Sequence, residues 1–269
     1  MNGKVLEFTI EGIGLCAPGM PDWASARAPL RGEGELSGTE LQRPAPSLLA
    51  PNERRRAPDS VLLALAVAEQ ACAMAGRDPR ELPNVFASAY GDLAINDYLC
   101  AELARAPLDL SPTKFHNSVH NAPAGYWTIA TGCMASSSAI SAGTATFGAG
   151  LLEAVLIANR DAAPTLLVVF DTTTKGPLGE VVHSHAAFAM ALVISPKASP
   201  GGYVVRLRLD AGATPGLAPL PESLHDLQAT SPAAASLPLL AALARREPAS
   251  VTVAAGPPGT CNLHLEISF

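Results

Sequence analysis

The segment over residues 137–170 restricts the possible folds of this chain more than any other. It contains a short strand of small residues over 139–143, a helix over 145–159 and the fully apolar strand TLLVVF over 165–170. A helix of that length spans roughly 22 Å, which is about what a crossover needs to return to the other end of a sheet. A buried strand, a sharp turn, a helix and a second buried strand therefore predict a βαβ unit in a parallel sheet.

Residue runs on either side of this segment predict the rest of an α/β fold. The run 60–75 is apolar on almost every face and ends at Gly76, which is typical of a buried helix with a glycine C-cap. Residues 17–57, rich in Pro, Gly and Arg, predict a long surface excursion, and the Ala-, Pro- and Gly-rich residues 210–236 predict a linker or degenerate stretch. The remaining predicted strands are 4–13, 84–90, 185–195, 202–209, 251–254 and 262–267, and the remaining predicted helices are 93–105 and 233–245.

The composition favours a subunit and excludes a nucleic-acid-binding protein. The 269 residues are 48% hydrophobic and only 16% charged, whereas charged residues make up about a quarter of a typical soluble domain. A low charged fraction favours burial of apolar surface against a partner. The net charge is −6, and the only basic cluster, Arg54, Arg55 and Arg56, is too short for a nucleic-acid footprint. The triplet is typical of a solvated turn before a helix.

The cysteines and histidines predict neither a metal site nor a disulfide framework. The five cysteines are odd in number and form no CxxC pair. His116 and His120 have a spacing that would place both on one helix face, but without a third ligand they indicate hydrogen-bonding or interface histidines. No cofactor is expected. The N-terminus lacks a basic start followed by an apolar core, and no apolar run reaches membrane-spanning length, so the sequence predicts a cytoplasmic protein.

A motif in the centre of the chain resembles a known family. Residues 121–132, NAPAGYWTIATG, are similar to the pattern Asn-x-x-Ala-Gly-x-x-Ser-Ile-x-x-Gly, which elongating β-ketoacyl synthases carry on the helix before their nucleophile strand. Residues 256–260, GPPGT, resemble the closing loop of the same family. The runs HNSVHNAPAGYW over 116–127 and SAG…F.AGLLEA over 141–154 most resemble a short ketosynthase-like family, the chain-length-factor subunits of aryl-polyene-type polyketide systems.

The resemblance implies a thiolase-like α/β fold. It is specific over about 111–195 and at the last strand. It implies that residues 1–209 form a largely intact ketosynthase-like N-terminal half. Residues 210–269 would form a strongly shortened, degenerate remnant of the C-terminal half, together with the closing strands.

The resemblance also implies that this chain cannot condense acyl chains alone. A ketosynthase needs an elbow cysteine, whose thiolate a helix N-terminus favours, and two histidines from its C-terminal half. Here the gap-free register has Thr144 at the nucleophile position, and a threonine hydroxyl without a base is a poor thioester acceptor. His225 and His264 lack the Gly/Thr pattern that flanks the family's histidines.

Cys133 is the rival nucleophile, and it supports the alternative of an active condensing or acyl-transfer enzyme that acts on acyl carrier protein. An alignment that puts Cys133 at the nucleophile position leaves no strand before it, because residues 121–132 have the helix motif. The same alignment lengthens the crossover between the two parallel strands by eleven residues. Cys133 is otherwise a small buried hydrophobic residue near a loop. A third hypothesis is a stand-alone acyl-binding protein.

Ketosynthases dimerise by continuing their sheets across a two-fold axis, so the resemblance implies a heterodimer with an active ketosynthase. The helix before the nucleophile strand would then line the acyl tunnel of the partner and limit product length in polyketide, polyene or fatty-acid-like biosynthesis. Tyr126 and Trp127 are expected to close the tunnel, and the alternative is that they pack in the core. Arg54, Arg55 and Arg56 are expected to contact an acyl carrier protein. The residues expected at the tunnel or interface are Phe115, His116, Asn117, His120, Asn121, Tyr126 and Trp127.

Overall fold

The computed structural model describes residues 5–34, 36, 38, 40–174, 176–210 and 219–269. Its strands are β1 (Leu6–Cys16), β2 (Asn84–Ala87), β3 (Ser137–Ile140), β4 (Thr165–Asp171), β5 (Phe188–Ser195), β6 (Tyr203–Asp210), β7 (Ala249–Ala254) and β8 (Asn262–Ser268). Its helices are α1 (Trp23–Arg31), α2 (Pro51–Arg56), α3 (Asp59–Ala75), α4 (Leu93–Arg105), α5 (Pro112–Asn117), α6 (Ala122–Thr131), α7 (Thr146–Asp161), α8 (His225–Thr230) and α9 (Leu237–Arg245).

Within the described residues, the strands form one mixed sheet in the order β3-β2-β4-β5-β1-β6-β8-β7. Strand β2 runs parallel to both β3 and β4, and α7 connects β3 to β4. The predicted βαβ unit is therefore confirmed, with β2 inserted between its two strands. Every other pairing in the sheet is antiparallel. The two predicted units, 1–209 and 210–269, share this sheet because β8 pairs with β6, and the boundary between them stays a prediction.

A hydrophobic core covers each face of the sheet. Successive side chains of a strand point to opposite faces. In β5, Met190 and Leu192 belong to one core, which also contains residues of α1, α7 and α9. Ala189 and Ala191 belong to the other core, which contains residues of α3 and α6. The molecule therefore has three layers, with helices on both sides of the sheet.

Helix α3 lies directly on β1 because two glycines leave room for its backbone. A Cβ added at Gly12 would lie 2.1 Å from the Ala71 carbonyl oxygen, and one at Gly14 would lie 2.0 Å from the Val67 carbonyl oxygen. Both distances are far shorter than van der Waals contact. The helix ends where the sequence predicts, with Gly76 as the C-cap at φ 62°.

Two stretches predicted as irregular contain buried helical structure. Within residues 17–57, α1 contributes Trp23, Ala26 and Leu30 to a core and packs against α9. Residues 211–218 of the predicted linker lie outside the described residues. Residues 222–236, by contrast, form α8 and two 3-10 turns, in which Ala233 and Ala234 are fully buried. The turn Pro232–Ser236 is concealed in the sequence because an alanine-rich turn packs closely without an amphipathic pattern. Helix α1 does bury one face, but it is short and lies within a stretch rich in Pro, Gly and Arg.

Several other boundaries differ from the prediction by a few residues. Strand β2 ends at Ala87, and the hydroxyl of the following residue, Ser88, donates to a buried carboxyl group. Helix α9 begins at Leu237, after the 3-10 turn Pro232–Ser236, rather than at residue 233. Lys4, the predicted start of the first strand, lies outside the described residues. In the part of the chain that the structure describes, no helix combines the length and apolarity needed to cross a bilayer.

Candidate functional site

The turn between β3 and α7 is where the sequence resemblance expects a nucleophile. Gly143 adopts φ +56°, in the left-handed region that favours glycine. The Ser141 hydroxyl donates to the Ala89 carbonyl oxygen at 2.8 Å, and the Thr146 hydroxyl donates to the Gly143 carbonyl oxygen at 2.7 Å. Thr144 is exposed on the 3-10 turn that precedes α7. The N-terminal end of α7 therefore carries a hydroxyl group rather than a thiol.

Within the part of the chain that the structure describes, no base is hydrogen-bonded to the Thr144 hydroxyl. Among the described residues it makes no side-chain hydrogen bond, and none of the six histidines bonds to it. His225 bonds to the Leu220 carbonyl oxygen, and His264 bonds to two hydroxyl groups on β7. The 3-10 turn Pro232–Ser236 packs against the turn before α7. The C-terminal part of the chain thus contributes packing at this turn, without a histidine bonded to Thr144.

Cys133 is buried between α6 and β3. Its thiol donates to the Leu82 carbonyl oxygen at 3.4 Å, and the Asn84 side-chain amide lies 3.8 Å from the sulfur. Cys133 directly follows Gly132, the C-cap of α6. It therefore lacks the helix N-terminus that assists a catalytic thiolate. These contacts are those of a small buried residue.

The residues expected at the tunnel or interface differ in exposure. Phe115 and His116 are exposed on α5, which ends at Asn117. His120 follows outside that helix, so the two histidines do not share a helix face. Asn121 is exposed just before α6. The segment therefore presents an aromatic ring, an imidazole and an amide on its surface.

Two hydrogen bonds hold this segment against the rest of the molecule. The Ser88 carbonyl oxygen can only accept, so His120 Nε2 carries the proton and donates to it at 2.9 Å. The Tyr126 hydroxyl donates to Asn117 Oδ1 at 3.2 Å, and Asn117 is itself buried. The Tyr126 ring is therefore held half-buried at the side of α6.

Trp127 occupies a core position, unlike its neighbour Tyr126. Its ring is fully buried, with its centroid 6.4 Å from that of Phe86 on β2. Its Nε1 has no hydrogen-bond partner among the described residues. Tyr126, the other bulky residue expected to close the tunnel, borders a cavity.

That cavity is a groove of about 280 Å³ between α2 and α6, referred to below as the α2–α6 groove. Its walls include large exposed apolar side chains, since Val119 is 51% and Ile129 is 83% exposed. Because exposed apolar surface lines it, the groove is a candidate binding surface. The other lining residues are Leu49, Glu53, His116, Asn121, Ala122, Gly125, Tyr126 and Ala130.

The arginine triplet lies on α2, which forms one wall of this groove. The stretch predicted as a solvated turn is therefore a short helix. The Arg54 guanidinium donates to the Pro46 carbonyl oxygen at 3.2 Å, whereas Arg55 donates to the Asn52 side chain. Arg55 and Arg56 are exposed. None of the three forms an ion pair with another described residue.

Strand β3 forms one edge of the sheet. The carbonyl oxygens of Ser136 and Ile140 accept hydrogen bonds from β2 and the residue that follows it. Because backbone groups alternate along a strand, those of Ser137 and Ala139 face the free edge. An unpaired edge of this kind is a template for another strand.

A buried carboxyl group lies at the end of β4, next to the turn before α7. Asp171 is 1% exposed, and its Oδ1 accepts from Ser88 Oγ and from the Ala89 N–H, each at 2.9 Å. Burial raises the pKa of Asp171 to about 7, although a hydrogen bond from Ser88 and nearby backbone N–H groups oppose the rise. One of those N–H groups belongs to Ala233. The ends of two strands and the C-terminal part of the chain therefore meet at this group.

Sequence reasoning missed this carboxyl group and the α2 wall of the groove. The signal for Asp171 is an acidic residue that directly ends the apolar strand TLLVVF. Leu49 and Glu53 give no such signal, because they reach α6 only through the tertiary fold.

The chain belongs to the family described as β-ketoacyl synthase, N-terminal domain, which matches residues 31–252. One similar structure is a chain from "Ketosynthase (ApeO) in Complex with its Chain Length Factor (ApeC) from Xenorhabdus doucetiae". It is 23% identical, with a TM-score of 0.72 over 97% of this chain and 99% of that one. Another comes from the AntDE:AntF complex, a type II PKS acyl-carrier protein with its ketosynthase bound to the hexaketide. It is 11% identical, with a TM-score of 0.74 over 98% and 99% of the two chains.

The ketosynthase from module 1 of the bacillaene synthase of Bacillus amyloliquefaciens FZB42 is much longer than this chain. It is 14% identical, with a TM-score of 0.54, and 77% of this chain covers only 45% of it. The predicted thiolase-like α/β fold is therefore confirmed. No curated protein matches the chain.

Proposed function

We propose that this chain is the non-catalytic partner of an active β-ketoacyl-ACP synthase and acts as its chain-length factor. The observation that supports this most directly is the turn before α7, where Thr144 is exposed and no base among the described residues is hydrogen-bonded to it. A ketosynthase needs a thiolate there, with histidines nearby. Further support comes from the similar fold of a chain in a complex that contains a ketosynthase and its chain length factor.

The proposed contact with the ketosynthase is the free edge of β3. Backbone groups of Ser137 and Ala139 face that edge. Exposed apolar side chains lie just before it, because Met134 is 94% exposed and Ile129 stands on the preceding helix. Strand pairing at this edge would extend the sheet into the partner and bury part of this apolar surface.

Tyr126 is the proposed limit on product length. Its ring borders the α2–α6 groove, and its hydroxyl bond to the buried Asn117 fixes the ring position. Trp127 packs against Phe86 in the core, so its removal mainly lowers the free energy of unfolding. Truncation of a buried tryptophan to alanine typically costs about 3–5 kcal/mol.

Co-expression with an active ketosynthase tests the proposal as a whole. We expect the two chains to co-elute in size-exclusion chromatography. After incubation with an acyl-loaded carrier protein, we expect intact-mass spectrometry to detect an acyl group on the ketosynthase but not on this chain.

An acyl adduct on this chain that disappears in Cys133→Ala or Thr144→Ala would instead support an acyl-transfer enzyme. A monomer that never associates with a ketosynthase, yet binds acyl groups, would support a stand-alone acyl-binding protein.

A further inference from the structure

Helix α2 concentrates positive charge in an otherwise acidic molecule. The net charge of the chain is −6, yet the helix ends in three consecutive arginines. Arg54 is partly buried and bonded to a backbone carbonyl, whereas Arg55 and Arg56 are exposed. Arg56 makes no hydrogen bond or ion pair with any residue that the structure describes. A guanidinium group without a carboxylate partner is available to a binding partner.

This charge lies beside the α2–α6 groove. Glu53 of α2 lines the groove together with Tyr126 and Ile129 of α6. Residues three apart occupy neighbouring positions on a helix surface, so Arg56 lies on the same side of α2 as Glu53. An apolar centre with a charged rim is the usual anatomy of a protein–protein interface.

We propose that Arg55 and Arg56 form the basic rim of the ketosynthase interface and pair with an acidic surface on that subunit. The inference rests on the proposed function, because α6 leads directly into the β3 edge where the ketosynthase would pair. A partner that extends β3 and covers Ile129 also approaches the α2 wall of the groove. If the arginine triplet instead bound an acyl carrier protein, the assembly of this chain with the ketosynthase would not depend on the charges of the triplet.

Charge reversal at Arg56 tests this assignment. Rim charges act mainly on the rate of association, and salt screens them. We expect Arg56→Glu to raise the dissociation constant of the heterodimer about tenfold at low ionic strength, and much less in about 0.5 M salt. Arg27→Glu is the matched control, because it makes the same charge change at an exposed site of α1, on the opposite face of the sheet. We expect it to bind as the wild type does.

The same samples are titrated with acyl carrier protein to separate the two possible partners. The proposal is supported if Arg56→Glu weakens the assembly with the ketosynthase in a salt-sensitive way, while the assembled pair keeps its affinity for the carrier protein. Normal assembly with weakened carrier binding overturns it in favour of the carrier contact, and no effect on either overturns it as well. If the wild-type chain also fails to bind the ketosynthase, the proposed function itself is wrong.

Discussion

The carboxyl group of Asp171 is buried where three parts of the chain meet. Its Oδ1 is bonded to the segment after β2, whereas its Oδ2 has no hydrogen-bond partner among the described residues. An ionised carboxylate with one unpaired oxygen is costly in such surroundings. Burial accordingly raises the pKa of Asp171 to about 7, so the folded protein binds a proton there more tightly than the unfolded chain does.

The raised pKa of Asp171 predicts that the stability of the folded protein depends on pH. Because the folded pKa is raised, its stabilising contribution is complete below about pH 4 and is lost as the pH rises to about 7. We expect Asp171→Asn to remove this loss, which amounts to up to about 4 kcal/mol in the free energy of unfolding. Urea denaturation at several pH values measures it. Asp226→Asn, at an exposed site on α8, should keep the pH profile of the wild type.

Tyr126 carries the prediction on product length. We expect Tyr126→Ala to lengthen the products of the reconstituted pair, because it opens the α2–α6 groove beside α6. Tyr126→Phe is the control, since it loses the hydroxyl bond to Asn117 but keeps the ring. Mass spectrometry of the released chains measures the length. An unchanged product length in Tyr126→Ala would contradict this role.

At the scale of elements, the free edge of β3 is the feature that a partner would use. Strand β3 is short, and one side of it is already bonded to β2 through Ser136 and Ile140. The other side has no neighbouring strand among the described residues. A single backbone N–H on that side can therefore be removed without loss of a bond to β2.

Ala139→Pro makes that change, because proline has no N–H group and Ala139 faces the free edge. We expect the ketosynthase to lose co-elution with this variant, while the thermal unfolding of the variant alone stays within a few degrees of the wild type. Ala139→Val keeps the N–H and should retain the partner. A heterodimer that survives Ala139→Pro would exclude pairing through β3.

At the scale of the molecule, the sequence predicted the elements that a single local pattern defines. Buried strands such as β4, and the helix that Gly76 ends, follow from apolar runs and a glycine cap. These predictions depend on neighbours in the sequence, which explains their success. The assignment of Thr144 to the nucleophile position rests instead on the alignment to the family pattern and stays a prediction, while the structure shows this residue exposed on the turn before α7.

The remaining features depend on residues that are distant in the sequence. The α2–α6 groove joins Leu49 and Glu53 to residues more than sixty positions later. The core position of Trp127 depends on Phe86 of a separate strand. Neither contact produces a periodic pattern in the sequence. The sequence alone therefore could not show that Tyr126 borders the groove whereas Trp127 lies in the core.

The place of β1 in the sheet has a consequence for biosynthesis. Strand β1 pairs on one side with β5 and on the other with β6, so Thr9 lies opposite Ser195 and Val204. Both sides of β1 therefore stay unpaired during synthesis until β5 and β6, which follow much later in the sequence, have been translated. The nascent chain carries an aggregation-prone strand throughout that interval. Pairing of β1 is consequently a late event in synthesis, and chaperones have a long time to engage this strand.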